Sequence, residues 1–121
     1  MIRFMKRRTV VKTTSYTVSP NKGDFSGSVF TTRGALGAVV FTLPNPTMAL
    51  AECLYTFIGI ADQNLTVAAP AGKVVAFNNA AATSLAATTA GQKIGAVIQA
   101  QCDGVSWILQ GDTLGVAYTV A

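Results

Sequence analysis

Short runs in which apolar and polar residues alternate, each ended by turn-forming residues, are the feature that most limits the fold of this chain. Alternation with a period of two is typical of a β-strand with one buried face. The apolar positions of the clearest runs are Val39, Phe41 and Leu43; Tyr55 and Phe57; Leu65 and Val67; Ile94, Ala96, Ile98 and Ala100; Val105, Trp107 and Leu109; and Leu114, Val116, Tyr118 and Val120.

Turn residues separate these runs at short intervals, as in Pro44-Asn45-Pro46 and Pro70-Ala71-Gly72. Asp103-Gly104 lies between two β-rich runs and therefore predicts a hairpin. Residues 47–54 are too short to predict a stable helix, and the alanine-rich residues 80–90 fit either a loop at a tip or a tightly packed strand. We therefore predict one all-β domain, a small antiparallel sandwich or barrel.

The surface of such a domain has few charges to display. Half of the 121 residues are hydrophobic and only 12% are charged, far fewer than a soluble monomer normally carries on its surface. The longest uncharged runs, residues 34–51 and 74–92, are broken by proline or by polar residues, so neither predicts a membrane-spanning helix. We expect the apolar surface to be buried by assembly, against copies of the same chain or against a partner.

Basic residues are concentrated at the N-terminus. Five of the nine lysines and arginines fall within the first twelve positions, which contain no acidic residue. We predict a basic, extended N-terminal arm (residues 1–15) followed by a single β domain (residues 16–121). The arm suits docking on an acidic protein surface, solubility, or contact with nucleic-acid phosphates, with Phe4 and Tyr16 stacking on bases. The candidate contact residues are Ile2, Arg3, Phe4, Lys6, Arg7, Arg8 and Lys12.

Residues suited to catalysis are scarce. The chain has no histidine, the commonest general base and metal ligand. Four of the five acids lie in or beside turns, and the two cysteines, Cys53 and Cys102, are too few for a zinc site. No signal peptide is recognisable, so we expect reduced thiols in a cytosolic product. We predict no enzyme, no catalytic, cofactor-binding or metal-binding residues, and no cofactor.

Aromatic residues in the predicted strands are the candidates for packing, either in the core or between subunits. Stacking of Trp107 on a ligand is the alternative, but a lone tryptophan in a strand is more often part of a core or a subunit contact. The residues with this expected role are Phe41, Tyr55, Phe57, Trp107 and Tyr118.

The order of several short motifs resembles a module of bacteriophage virion proteins. The module reads Tyr-Thr-(Val/Leu), Phe-Thr-Leu-Pro, Tyr-Thr-Phe, Leu-Thr-(Val/Ile) and Asp-Gly-x-x-Trp, and occurs in head-decoration proteins, head fibres and tail-fibre segments. The matching segments here are Tyr16-Thr17-Val18, Phe41-Thr42-Leu43-Pro44, Tyr55-Thr56-Phe57, Leu65-Thr66-Val67 and Asp103-Gly104-Val105-Ser106-Trp107.

This resemblance implies an oligomeric, often trimeric, β module exposed on a virion. Because the module nearly fills the chain, it favours a capsid-decoration (cement) protein, made in the host cytoplasm and added to the capsid surface. The expected partners are copies of itself and the major capsid protein, with no membrane. A head-fibre or tail-fibre component is the alternative, and a small single-stranded nucleic-acid-binding protein is a further one, disfavoured because the body is nearly neutral.

Overall fold

Two β-sheets pack face to face and account for nearly all regular structure in the computed structural model, which describes residues 7–112 and 116–121. The strands are β1 Thr9–Val11, β2 Tyr16–Thr17, β3 Val29–Thr31, β4 Val39–Thr42, β5 Leu54–Ile58, β6 Leu65–Ala68, β7 Val74–Ala76, β8 Asn79–Ala82, β9 Ser84–Ala87, β10 Val97–Cys102, β11 Trp107–Gly111 and β12 Thr119–Val120. Two 3₁₀ turns, Pro20–Lys22 and Met48–Leu50, are the helical segments of the described residues. The prediction of an all-β fold is confirmed.

The first seven strands alternate between the two sheets. The seven-stranded sheet has the order β1-β3-β5-β10-β11-β7-β8 and the five-stranded sheet the order β12-β9-β6-β4-β2. Early strands that pair within a sheet are therefore two apart in sequence and run parallel. Examples are the pairs β3–β5 and β4–β6. Later strands add antiparallel neighbours, including β10 on β5 and β9 on β6.

The sheets are thus mixed, whereas the sequence pattern predicted an antiparallel arrangement. A parallel pair needs a crossover connection, which is usually an α-helix. Here the crossover from β3 to β5 contains β4, a strand of the opposite sheet. Because the side-chain period is two in both kinds of sheet, the alternation predicted the strands without revealing their relative directions.

The core lies between the sheets and contains most of the inward residues that the alternation predicted, together with Phe30 and Leu85, which it did not predict. Phe30 and Phe57 of one sheet contact Phe41 of the other, with ring centroids 5.6 and 4.9 Å from Phe41. The largest fully buried side chains are Trp107, Tyr55, Phe30, Phe41, Phe57, Leu43, Leu65, Leu85, Ile98 and Leu109. Burial of a side chain of this size contributes about 1.5–3 kcal/mol, so these residues dominate the stability of the fold.

The predicted hairpin at Asp103-Gly104 is confirmed. It joins β10 to β11 with Cys102 paired to Trp107, and Gly104 has φ 92°, a conformation that favours glycine. The run predicted to start at Ile94 begins later, because Gly95 turns the chain with φ 90° and β10 starts only at Val97. Ile94 is consequently 65% exposed.

Residues 47–54 contain one 3₁₀ turn followed by the start of β5, and the alanine-rich residues 80–90 contribute to β8 and β9, one in each sheet. The run predicted from Leu114 to Val120 is a strand only at Thr119–Val120, and residues 113–115 lie outside the described part.

The predicted N-terminal arm includes an edge strand. β1 pairs in parallel with β3 from Thr9↔Val29 to Val11↔Thr31, so the folded domain already includes residues 9–11. The boundary at residue 15 between arm and domain stays a prediction. Within residues 7–112 and 116–121, no helix has the length and apolarity needed to cross a bilayer.

Candidate functional site at the anchored N-terminal segment

A buried carboxylate, Asp24, lies between the N-terminal segment and the rest of the domain. The residue is only 1% exposed. Its side chain accepts hydrogen bonds from the Tyr16 hydroxyl at 2.6 Å, the Ser19 backbone N–H at 2.8 Å and Nη1 of Arg8 at 3.2 Å. With three donors around it, the carboxylate is satisfied despite its burial.

These donors keep Asp24 ionised. Burial alone raises the pKa of Asp24, but the hydrogen bonds from Tyr16 and Ser19 and the nearby Arg8 charge outweigh it, and the net pKa is lowered. The pKa of Tyr16 is raised, first because its hydroxyl donates to the Asp24 carboxylate and then by burial. Asp24 and Tyr16 therefore stabilise each other in their charged and neutral forms, respectively.

Arg8 is held by both its side chain and its main chain. Its guanidinium forms an ion pair with Asp24 at 3.2 Å, where the Asp24 side chain is 2% exposed and the Arg8 side chain 46% exposed. Its carbonyl accepts a 2.7 Å hydrogen bond from the N–H of Val29, at the start of β3. The chain is thus fixed in place immediately before β1.

Two more cations of this segment contact the domain. Nε of Arg7 donates to the Gly27 carbonyl and its Nη2 donates to the Thr56 hydroxyl, both at 2.9 Å. Nζ of Lys12 lies 3.8 Å from the centroid of the Tyr16 ring, which is a cation–π distance. Arg7, Arg8 and Lys12 therefore form, with Tyr16 and Asp24, a group that we call the N-terminal anchor.

The structure brings three of the predicted contact residues together in this anchor: Arg7, Arg8 and Lys12. The other four, Ile2, Arg3, Phe4 and Lys6, lie outside the described residues. Contact of any of these seven residues with a capsid stays a prediction.

Four of the five predicted packing residues lie in the core. Phe41, Tyr55, Phe57 and Trp107 are fully buried. The Trp107 Nε1–H donates to the Pro44 carbonyl at 2.8 Å, and the Tyr55 hydroxyl donates to the Asp24 carbonyl at 2.6 Å. Burial, with the nearby Cys53 and Asp24, raises the pKa of Tyr55 to about 12. These residues pack inside the domain and are not available to a neighbouring subunit.

Tyr118 differs from the other four because it is only partly buried. Its ring stacks on that of Phe77, with centroids 5.9 Å apart and planes 18° apart. Phe77 is an exposed aromatic at the turn between β7 and β8, where its φ of 39° lies in the left-handed region. An aromatic in this conformation costs backbone energy that its contacts must offset.

Asp24 was missed as a site residue because the sequence placed it in a turn, Pro20-Asn21-Lys22-Gly23-Asp24. The structure does put a turn there, with Gly23 at φ 102°, but the carboxylate points inward toward Tyr16 and Arg8. Alternation of apolar and polar residues carries no information about a buried acid in a turn. One sequence signal could have identified Asp24: it is the first acidic residue of the chain, and an arginine and a tyrosine lie within the 16 residues before it.

The contacts of the N-terminal anchor hold its own cationic side chains in place and so fix this segment of the chain on the domain. Among the described residues no group of three or more histidine, cysteine or acidic side chains is placed to hold a metal ion. Cys53 and Cys102 are free thiols on neighbouring chain segments, and the pKa of Cys53 is raised by burial and by the nearby Cys102. A thiol with a raised pKa is a weak nucleophile at neutral pH.

No family model matches this chain, and a search of curated proteins finds no relative.

Proposed function

We propose that this protein is a structural component of a bacteriophage particle, a capsid-decoration protein that binds the assembled head as a homotrimer and stabilises it. The N-terminal anchor is the observation that carries the proposal. It fixes Arg7, Arg8 and the start of β1 on the domain.

The anchor divides the basic residues into two groups with different roles. Arg8 and Lys12 contact Asp24 and Tyr16, so part of their charge is neutralised within the subunit. Contact with the capsid then falls mainly to residues 1–6, which include Arg3 and Lys6. The arrangement suits docking on an acidic protein surface, because attraction between opposite charges steers encounter and fixes register.

Apolar side chains on the surface support assembly into an oligomer. The core is closed without them, since large residues from both sheets fill the space between the sheets. With 12% charged residues, the chain has few charged side chains to surround these apolar groups, and burial against another copy removes them from water. The exposed large apolar residues of the described part are Val11, Phe25, Leu36, Met48, Phe77, Ile94 and Val105.

Stabilisation of the head then needs no chemical step. A protein that binds assembled capsids, and not their free subunits, shifts the equilibrium toward the assembled form by mass action. Each trimer that bridges neighbouring capsid subunits adds its binding free energy to the shell. The proposed mechanism therefore requires many copies spread over the head.

Binding to purified heads of the parent phage tests the proposal. We expect the full chain to sediment with heads that lack it and to raise the temperature at which they disrupt. A variant without residues 1–6, which keeps β1 and the anchor, is expected to lose binding and remain a trimer. Undiminished binding by this variant contradicts the assigned role of the segment, and no binding by the full chain contradicts the proposed function.

A charge-matched pair of variants separates a specific contact from general electrostatics. The double variant Arg3→Gln/Lys6→Gln removes two cations from the proposed contact, and Lys73→Gln/Lys93→Gln removes two from the body of the domain. We expect only the first pair to weaken head binding. Equal weakening by both pairs would indicate that net charge, and not the N-terminal segment, drives binding.

Location on the particle distinguishes decoration from the fibre alternative. Counting copies by quantitative mass spectrometry of purified particles is expected to give many copies spread over the head. A few copies confined to one vertex or to the tail would instead assign the protein to a fibre, with an adhesive role.

A further inference from the structure

A row of uncharged polar side chains crosses the outer face of the seven-stranded sheet. The strand register places Gln99 of β10 directly between Thr56 of β5 and Gln110 of β11. Side chains directly opposite each other on neighbouring strands have Cβ atoms about 4.5–5.5 Å apart. Gln99 and Gln110 are both exposed, so their two amides lie side by side on the surface.

These two amides line a shallow pocket of about 330 Å³, together with Val97, Gly111 and Asp112. This volume lies near the lower end of the range for small-molecule sites. The pocket therefore has room for a ligand of one or two sugar rings.

Tyr118 packs against Gly111, one of the residues that line the pocket, without lining the pocket itself. A Cβ on Gly111 would lie 2.6 Å from the Tyr118 ring, so the absence of a side chain there is what admits the ring. The Tyr118 hydroxyl donates to the Val97 carbonyl at 3.0 Å, which fixes the ring next to two of the pocket residues. The aromatic ring is thus held in place by contacts that do not involve the two glutamines.

The side-chain amides of Gln99 and Gln110 can form hydrogen bonds with a ligand. Within residues 7–112 and 116–121, neither side chain has an intramolecular hydrogen bond. Each amide presents N–H donors and a carbonyl acceptor. Two adjacent amides can therefore donate to and accept from hydroxyl groups on neighbouring carbon atoms of one ring.

We infer that this pocket binds a neutral carbohydrate through the paired amides of Gln99 and Gln110. Asp112 is the one charged residue among those that line the pocket, and none of the five is basic, so the lining offers no cation to a phosphate or carboxylate group. The lining therefore favours neutral sugars over nucleic acid and acidic glycans. The pocket is lined by other residues than those of the N-terminal anchor, although Arg7 of the anchor donates to Thr56, the neighbour of Gln99 in the row. The inference goes beyond attachment to a capsid.

Binding to immobilised neutral oligosaccharides, hexoses and N-acetylhexosamines included, tests the inference with the full chain. We expect saturable binding that Gln99→Ala and Gln110→Ala each weaken about fivefold or more, as expected for loss of one or two hydrogen bonds. Gln101→Ala is the matched control, because Gln101 is exposed on the same face of β10, two residues away and outside the pocket. Its affinity is expected to be unchanged.

Three results overturn the inference. The first is the absence of binding to any neutral oligosaccharide, and the second is binding that all three alanine variants weaken equally. The third is a change in oligomeric state in Gln99→Ala and Gln110→Ala without sugar binding, which would assign the row to a subunit interface. The two proposals are tested separately, because the variant lacking residues 1–6 is expected to lose head binding and to keep sugar binding.

Discussion

The Tyr16 hydroxyl donates a 2.6 Å hydrogen bond to the buried carboxylate of Asp24, and this contact links the two sheets at their N-terminal edge. Tyr16 belongs to β2 of the five-stranded sheet, whereas Asp24 precedes β3 of the seven-stranded sheet. Arg8, which precedes β1, contacts the same carboxylate. One acidic side chain therefore connects both edge strands β1 and β2 to the domain, and removing it is expected to loosen both.

Replacement of the carboxylate tests its contribution to stability. Asp24→Ala leaves the Tyr16 hydroxyl and the Ser19 N–H without their acceptor, so we expect the free energy of unfolding to fall by about 2–3 kcal/mol. Urea denaturation followed by tryptophan fluorescence measures the change. Asp62→Ala, which removes an exposed acid, is the control and should change stability by less than about 0.5 kcal/mol. An equal effect of both substitutions would contradict the role assigned to Asp24.

The pH dependence of stability follows from the pKa shifts of Asp24 and Tyr16. The pKa of Asp24 is lowered in the folded state, so its contribution is present above the ordinary aspartate pKa of about 4 and is lost as the pH falls through its folded value. The pKa of Tyr16 is raised, so its contribution is present below about pH 10 and is lost as the pH rises through its folded value.

We therefore expect stability to fall on both sides of a plateau that lies between these two limits. Denaturation midpoints measured in steps of pH check this expectation. Asp24→Asn has no carboxylate to protonate at this position, so the loss of stability at acid pH should become shallower. A decline of unchanged slope in this variant would assign the acid sensitivity to other groups.

Gly59 is required for close packing and not for backbone freedom. A Cβ at this position would lie 2.7 Å from the backbone carbonyl oxygen of Lys93, which cannot rotate away as a side chain would. We expect Gly59→Ala to lower the melting temperature, corresponding to about 1–3 kcal/mol of stability. Gly37→Ala is the matched control, because nothing lies within 4 Å of its Cβ and its φ is ordinary. An unchanged melting temperature in Gly59→Ala contradicts the packing assignment.

The single tryptophan reports on the core directly. Trp107 is fully buried, and its indole N–H donates to the Pro44 carbonyl. We expect blue-shifted emission that acrylamide quenches poorly until the protein unfolds. Trp107→Phe removes the hydrogen bond and part of the ring volume, and should destabilise the fold by about 1–3 kcal/mol. Strong quenching under native conditions would place the indole at the surface.

The strands at the centre of each sheet were predictable from sequence, whereas the topology was not. Val39, Phe41 and Tyr55 show the burial that the alternation predicted, and the Asp103-Gly104 turn forms the expected hairpin. The parallel pairing of β4 with β6 depends on which sheet each strand joins. That choice is decided by contacts between residues far apart in the chain, which a local pattern does not encode.

The N-terminal segment was only half predictable. Its concentration of positive charge is plain in the sequence, but the acid that holds it lies in a turn whose composition gives no sign of burial. The structure resolves this because Tyr16, Ser19 and Arg8, which lie 5 to 16 positions before Asp24, all donate to its carboxylate. The amide pair Gln99 and Gln110 was also missed, since only the register of β10 with β11 places the two residues side by side.

The proposed function depends on self-association, which we proposed because the chain has few charged residues and exposes several large apolar side chains. Light scattering coupled to size-exclusion chromatography measures the mass in solution directly. A homotrimer is expected to give 37.5 kDa, three times the 12.5 kDa of one chain. A single stable species of 12.5 kDa at high concentration would contradict the account.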